Sequence, residues 1–285
     1  DVCTRGKPPN IAKPFFPEES RLFEFKKSGK LAVFGTAWKL SRLLRKWEVT
    51  LLHAHHFDQI IIGWLATRFY GKTKLVIGRH YSDSIYRMPD GIKKKIYFWL
   101  EKKANMAAER IIVPSKFIKE ILVNRQKINE GKVDVIYYAL NPDKYILPES
   151  KSINELSVEL GLDGKFVIST FARLHEEKGH RYLVEAINSV REKVKGLRVL
   201  FVGEGPERRK LEELILRYKL QDIILITGWR QDVLKLMQLS DIVVQPTLQE
   251  AFSQVMCEAM ILGKPLVMSN VSGAVDLIEN GKSGM

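Results

Sequence analysis

Runs of strand-like apolar residues alternate with stretches of helical period along most of the chain, the signature of parallel sheets joined by crossover helices. In the first half the pattern predicts strands at 49–53, 74–78, 110–113 and 133–136. Helices are predicted between them at 32–46, 58–70, 92–107 and 115–124, the last capped by Ser115 just after Pro114. From 141 to 164, with Pro142, Pro148 and Glu149 to Ser152, the rhythm lapses and a linker is expected. It resumes with strands at 166–171, 198–202, 223–227, 241–245 and 265–269, and helices at 179–193, 206–218, 231–239 and 253–262. The reading is therefore α/β, with two Rossmann-like domains at 1–148 and 165–285 and a linker at 149–164. In such folds ligands bind outside the carboxyl ends of the strands.

Chemistry-bearing residues collect at those ends. Glu250 follows a predicted strand. Glu258 lies eight positions on, inside an apolar helix that stops at Gly263 with Pro265 beyond. The start of that helix, at Phe252, Ser253 and Gln254, offers backbone N–H groups to an anion. Arg173 and Lys178 sit between a strand end and a helix start, where two fixed cations can offset charge growing on a phosphate leaving group. Gly203-Glu204-Gly205-Pro206 makes a tight strand-to-helix turn. It lacks the third glycine of a dinucleotide fingerprint, which disfavours hydride transfer. Thr227-Gly228-Trp229 closes the next unit. Each of these residues, alone, also fits an ordinary surface or turn position.

In this order and spacing the segments resemble the retaining glycosyltransferases of the GT-B fold, family four (group 1), whose two domains face each other across a cleft. The resemblance is specific from about Phe166 to Met285 and weaker but continuous before it. It implies transfer of a sugar from a nucleotide-sugar donor to an acceptor hydroxyl, without a metal or other cofactor. The alternative is a non-catalytic relative that holds the nucleotide sugar without turnover. Among its implied site residues, Arg173 and Lys178 serve the diphosphate, Glu258 the ribose hydroxyls and Glu250 the transferred sugar. Phe252, Ser253, Gln254, Gly203 and Gly228 line the donor site, and His80 stands near the sugar on the acceptor side. Ala251 stands where the family usually has glycine, and its Cβ is expected to narrow the sugar pocket. The family also leads us to expect truncation at both ends. The chain opens without Met or a first strand and Gly-rich turn, and stops at 279–285, where relatives continue through further helices.

Composition narrows the setting. An apolar share of 45% and a charged share of 28% fit a globular protein, and no apolar run reaches the roughly 18 residues of a membrane span. Cys3 and Cys257 are the only cysteines, so neither a disulfide framework nor a cysteine metal site is indicated. His53, His55 and His56 lack a carboxylate cluster that would suggest a metal. The expected compartment is the cytoplasm. Of the net charge of +13, all the excess lies in residues 1–148, with 28 Lys and Arg against 14 Asp and Glu. That field has two readings, attraction to an anionic membrane surface or other polyanion, and a solvated lysine face. No nucleic-acid motif is present, and nucleic acid is not expected as a partner. The expected partners are the nucleotide-sugar donor, a sugar or lipid-linked acceptor, and an anionic surface at the inner face of the membrane. Lys93, Lys94, Lys95, Lys102 and Lys103 interleave with Tyr97, Phe98 and Trp99 on one helix.

Overall fold

The computed structural model describes residues 2–5, 22–25, 32–80, 89–146, 150–271 and 273–278. The expected ends of the linker and chain, 147–149 and 279–285, lie outside them. The chain divides into two compact units, Asp1–Val113 with Lys119–Val135, and Pro114–Ile118 with Ile136–Met285.

In the first unit, β1 (Val2–Arg5) pairs in parallel with β2 (Leu22–Phe25). A four-stranded parallel sheet then runs in the order β3 (Leu51–His55), β4 (Lys74–Gly78), β5 (Arg110–Val113), β6 (Val133–Val135). Helices Ala32–Lys46, Phe57–Tyr70 and Ile92–Ala107 connect these strands. The third of them is anchored by charge. Glu101, fully buried, pairs with the buried Arg79 at 3.2 Å and accepts from Gln126 Nε2 at 2.6 Å; Gln126 in turn accepts from Asn105 at 2.7 Å. A buried carboxylate of this kind is tolerated because each oxygen is matched. Its opposite side stays open: Ile92, Ile96, Trp99 and Met106 are exposed, spaced four, three and seven residues apart as one helical stripe demands.

The second unit holds a five-stranded parallel sheet, ordered β11 (Leu266–Met268), β10 (Ile242–Gln245), β7 (Phe166–Phe171), β8 (Leu197–Val202), β9 (Ile224–Gly228). The strand period of two splits β8 between two cores. Leu197, Val199 and Phe201 join Leu183, Ile187, Leu211 and Ile215 on one face, while Leu200 and Val202 join Leu156, Phe171, Leu236 and Ala259 on the other. The stretch expected to be a linker carries a helix, Ser150–Glu159. Its Leu156 is buried beside Leu236 of helix Val233–Leu239, so covering the sheet outweighs a polar sequence that promises little helix by itself.

The sheet order matters for function. The chain moves outward from β7 through β8 and β9, then returns to the other side of β7 to lay down β10 and β11. The order therefore reverses between β7 and β10, and the loops that leave their carboxyl ends flank a ligand crevice in folds of this kind.

Candidate functional site

The loops at that reversal are 172–179 after β7 and 246–253 after β10. They are laced together. Thr247 Oγ1 donates to the Glu177 carbonyl at 3.0 Å and Leu248 N–H donates to the same oxygen at 2.8 Å. Gly179 has φ 68°, and a Cβ there would lie 2.0 Å from the Pro246 carbonyl oxygen, so only glycine allows this approach. Across the junction Lys178 Nζ donates to Glu250 Oε2 at 2.5 Å, with side chains 16% and 23% exposed. The two charges are thus held largely out of water but can be reached from it.

Arg173 is placed differently. It is exposed and its ion-pair partner is Glu177, at 3.5 Å, rather than Glu250. The loop that bears it is fixed from behind by the glycine turn after β8. Gly203 has φ 153°, and a Cβ there would meet the Ala172 carbonyl at 2.0 Å. Leu174 N–H donates to the Glu204 carbonyl at 3.0 Å, and Gly203 N–H donates to the Gly228 carbonyl at 2.9 Å. Gly203 and Gly228 therefore serve as backbone joints beneath the loop. His180, directly after Gly179, is buried, and neither ring nitrogen has a hydrogen-bond partner. Burial, and then the Lys178 charge, lowers its pKa to about 4, so the ring stays neutral beside the lysine.

Helix Gln254–Ile261 starts at the second loop. Ser253 caps it, its hydroxyl accepting from Met256 N–H at 3.2 Å. Phe252 is buried and meets the Tyr138 ring edge-on at 5.3 Å, while Gln254 is exposed. Ala251 is buried as well. One turn further along the helix, Glu258 Oε1 accepts from Tyr145 Oη at 3.2 Å. The pattern of the chain gave no hint of Tyr145, because it lies in the stretch from 141 to 164 where the strand–helix rhythm lapses.

His80 belongs to the first unit, just past β4. Its ring stacks on His55 at 5.0 Å, and the His55 ring lies 4.1 Å from that of His53. Gly78 leaves room for them, since a Cβ there would lie 2.5 Å from His55 Nδ1. Burial first, then the neighbouring imidazoles, lowers the pKa of His55 to about 4 and that of His80 below its usual value. Among the described residues no group of three or more His, Cys, Asp or Glu is arranged to hold a metal ion.

Comparison with known proteins fits this geometry. A sequence model described as Glycosyltransferase Family 4 matches residues 1–144, and one described as Glycosyl transferases group 1 matches residues 165–285. The chain belongs to this glycosyltransferase family. An Escherichia coli UDP-Gal:alpha-D-GlcNAc-diphosphoundecaprenol alpha-1,3-galactosyltransferase is 27% identical over 252 residues, covering 86% of this chain and 64% of that protein. An alpha-D-kanosaminyltransferase of Streptomyces kanamyceticus is 26% identical over 73% of this chain and 54% of its own length. The chain therefore spans 54–64% of the length of these two relatives. Anabaena HepE in complex with UDP-glucose superposes with a TM-score of 0.78 at 24% identity, covering 93% of this chain and 71% of that one. Sucrose-phosphate synthase of Thermosynechococcus elongatus does so with 0.77 at 21%, covering 99% and 74%. These likenesses establish the GT-B fold of this family member.

Proposed function

We propose that this family member transfers a sugar from a nucleoside diphosphate sugar to an acceptor hydroxyl, with retention of configuration and without a metal ion. The observation that carries the reading is the Lys178–Glu250 pair at the strand-order reversal between β7 and β10. Breaking the glycosidic bond to a diphosphate builds negative charge on the leaving oxygen. Lys178, and Arg173 on the same loop, would offset that charge. First-turn N–H groups of helix Gln254–Ile261 would add their dipoles. Glu250 would steady positive charge developing on the sugar ring, and Glu258 would accept hydrogen bonds from the ribose. One relative named for UDP-galactose use, and a related fold that holds UDP-glucose, support this donor class. His80, in the first unit, is assigned to the acceptor side.

The division of labour between the carboxylates can be measured. Glu258→Gln should weaken binding of the free nucleoside diphosphate about tenfold or more, since charge-assisted bonds contribute roughly 1.5–3 kcal/mol each. Glu250→Gln should spare that binding and lower sugar transfer. Calorimetry with nucleoside diphosphates, set beside product formation followed by mass, separates the two. Equal losses from both changes would contradict the assignment.

The acceptor we assign to the lipid-linked or cell-envelope class, reached at an anionic membrane surface. No described helix is long and apolar enough to cross a membrane. The helix Ile92–Ala107 instead exposes Ile92, Ile96, Trp99 and Met106 among five lysines. Trp64, Arg68, Trp99 and Lys103 line an open groove of about 450 Å³ beside it. Indole and lysine together suit the boundary between headgroups and acyl chains. Changing Lys93, Lys94, Lys95, Lys102 and Lys103 to Gln should abolish co-sedimentation with anionic vesicles. Wild-type binding should fall with salt, over a screening length of about 10 Å at 0.1 M. Binding indifferent to lipid charge, salt and these changes would make the lysines a solvated face and remove the case for a lipid-linked acceptor.

A further inference from the structure

Residues 136–146 follow β6 and belong to the second unit, where they set three phenols against the stretch that carries Glu250 and Glu258. The Tyr137 ring centroid lies 6.0 Å from that of Phe252, and Tyr138 meets the same ring edge-on. Burial, and then the charge of Glu250, raises the Tyr138 phenol above its usual pKa. Tyr145 closes the short turn Pro142–Tyr145, which is set by the Asn141 side chain accepting from Asp143 N–H at 3.0 Å. Its hydroxyl reaches Glu258 across 113 positions of sequence.

The geometry points to Tyr145 as a positioning residue of the donor site, holding the Glu258 carboxylate so that its remaining lone pairs face a vicinal diol. The arithmetic of hydrogen bonding favours this. A carboxylate offers about four acceptor sites on two oxygens. Tyr145 takes one on Oε1 and leaves three, enough for both hydroxyls of a ribose. Without the phenol the carboxylate would be free to rotate and would have to be ordered at the moment of binding, a cost that falls on affinity. Burial first, and then the Glu258 charge, raises the Tyr145 phenol above its ordinary value, so it remains a donor throughout the neutral range. The inference rests on the reading of Glu258 as the ribose acceptor.

The test is calorimetry of wild type, Tyr145→Phe, Glu258→Ala and the double variant with UDP, GDP and ADP, each beside its 2′-deoxy counterpart. For the diphosphate that binds, Tyr145→Phe should raise Kd about five- to tenfold for the ribose form and clearly less for the 2′-deoxy form. In the Glu258→Ala background the same change should matter less than about twofold. A packing role alone would weaken both sugar forms equally. That result, an unchanged Kd for the ribose form, or an undiminished effect in the double variant would overturn the inference while Glu258 kept its role. If no diphosphate binds, or Glu258→Ala leaves affinity untouched, the donor-site reading falls and takes this inference with it.

Discussion

Lys178→Ala is expected to lower turnover by on the order of 10²–10³-fold, the usual cost of removing one group that stabilises charge appearing only in the transition state. Its effect on stability should be far smaller. The Lys178–Glu250 pair is 16% and 23% exposed, between a surface ion pair and a fully buried one. Leaving Glu250 unpaired should therefore cost about 1–2 kcal/mol, a few degrees of Tm. Arg173→Ala should also reduce turnover, with no measurable shift in Tm, because its side chain is exposed and its bond to Glu177 is long. Steady-state rates beside thermal melts give both numbers. Full activity with an unshifted Tm in either variant would sink that residue's assignment.

Gly179→Ala should damage both fold and activity. The residue has φ 68°, and a Cβ would sit 2.0 Å from the Pro246 carbonyl oxygen. Left-handed backbone alone costs an alanine about 1–2 kcal/mol. The clash is with backbone, so one loop must move away from the other. That movement would strain the bonds from Thr247 and Leu248 to the Glu177 carbonyl, which hold Lys178 against Glu250. We expect a total loss of about 2–4 kcal/mol, with transfer reduced to near background. Gly161→Ala is the control. Gly161 has φ 64° with nothing within 4 Å of a built Cβ, so it carries only the backbone cost. A Gly179→Ala protein no less stable than Gly161→Ala, and fully active, would mean that the two loops are not rigidly joined.

Much of the fold could be read from apolar periodicity because both large sheets are parallel, and that of the second unit is covered on two faces. Each buried strand then appears as a dense apolar run, and five of the predicted elements (32–46, 74–78, 92–107, 110–113 and 166–171) have the observed limits. Periodicity failed where tertiary contact decides the local structure. Ser150–Glu159 is largely polar, and its helix depends on Leu156 finding the sheet. The short strands Val2–Arg5 and Leu22–Phe25, which pair with each other, were not foreseen either, and the first of them corrects the expectation that no strand opens the chain. The positions of Lys178 and Glu250 at strand ends were legible, but their mutual contact was not, since 72 residues separate them. Tyr145 was invisible for the same reason. The Arg79–Glu101 pair could not be foreseen from a lysine-rich helix whose buried face turns on one carboxylate.

The central claim is that the loops after β7 and β10 hold a nucleoside diphosphate sugar and promote loss of its diphosphate. The most direct measurement incubates the purified protein with a panel of sugar nucleotides and follows release of nucleoside diphosphate, for wild type and for Lys178→Ala. The account predicts release from at least one donor by the wild type, and a drop of on the order of 10²–10³-fold in the variant, which should still bind the free diphosphate. Binding of a sugar nucleotide without any release would favour a non-catalytic relative. Release that ignores Lys178, or no binding of any nucleotide, would contradict the site.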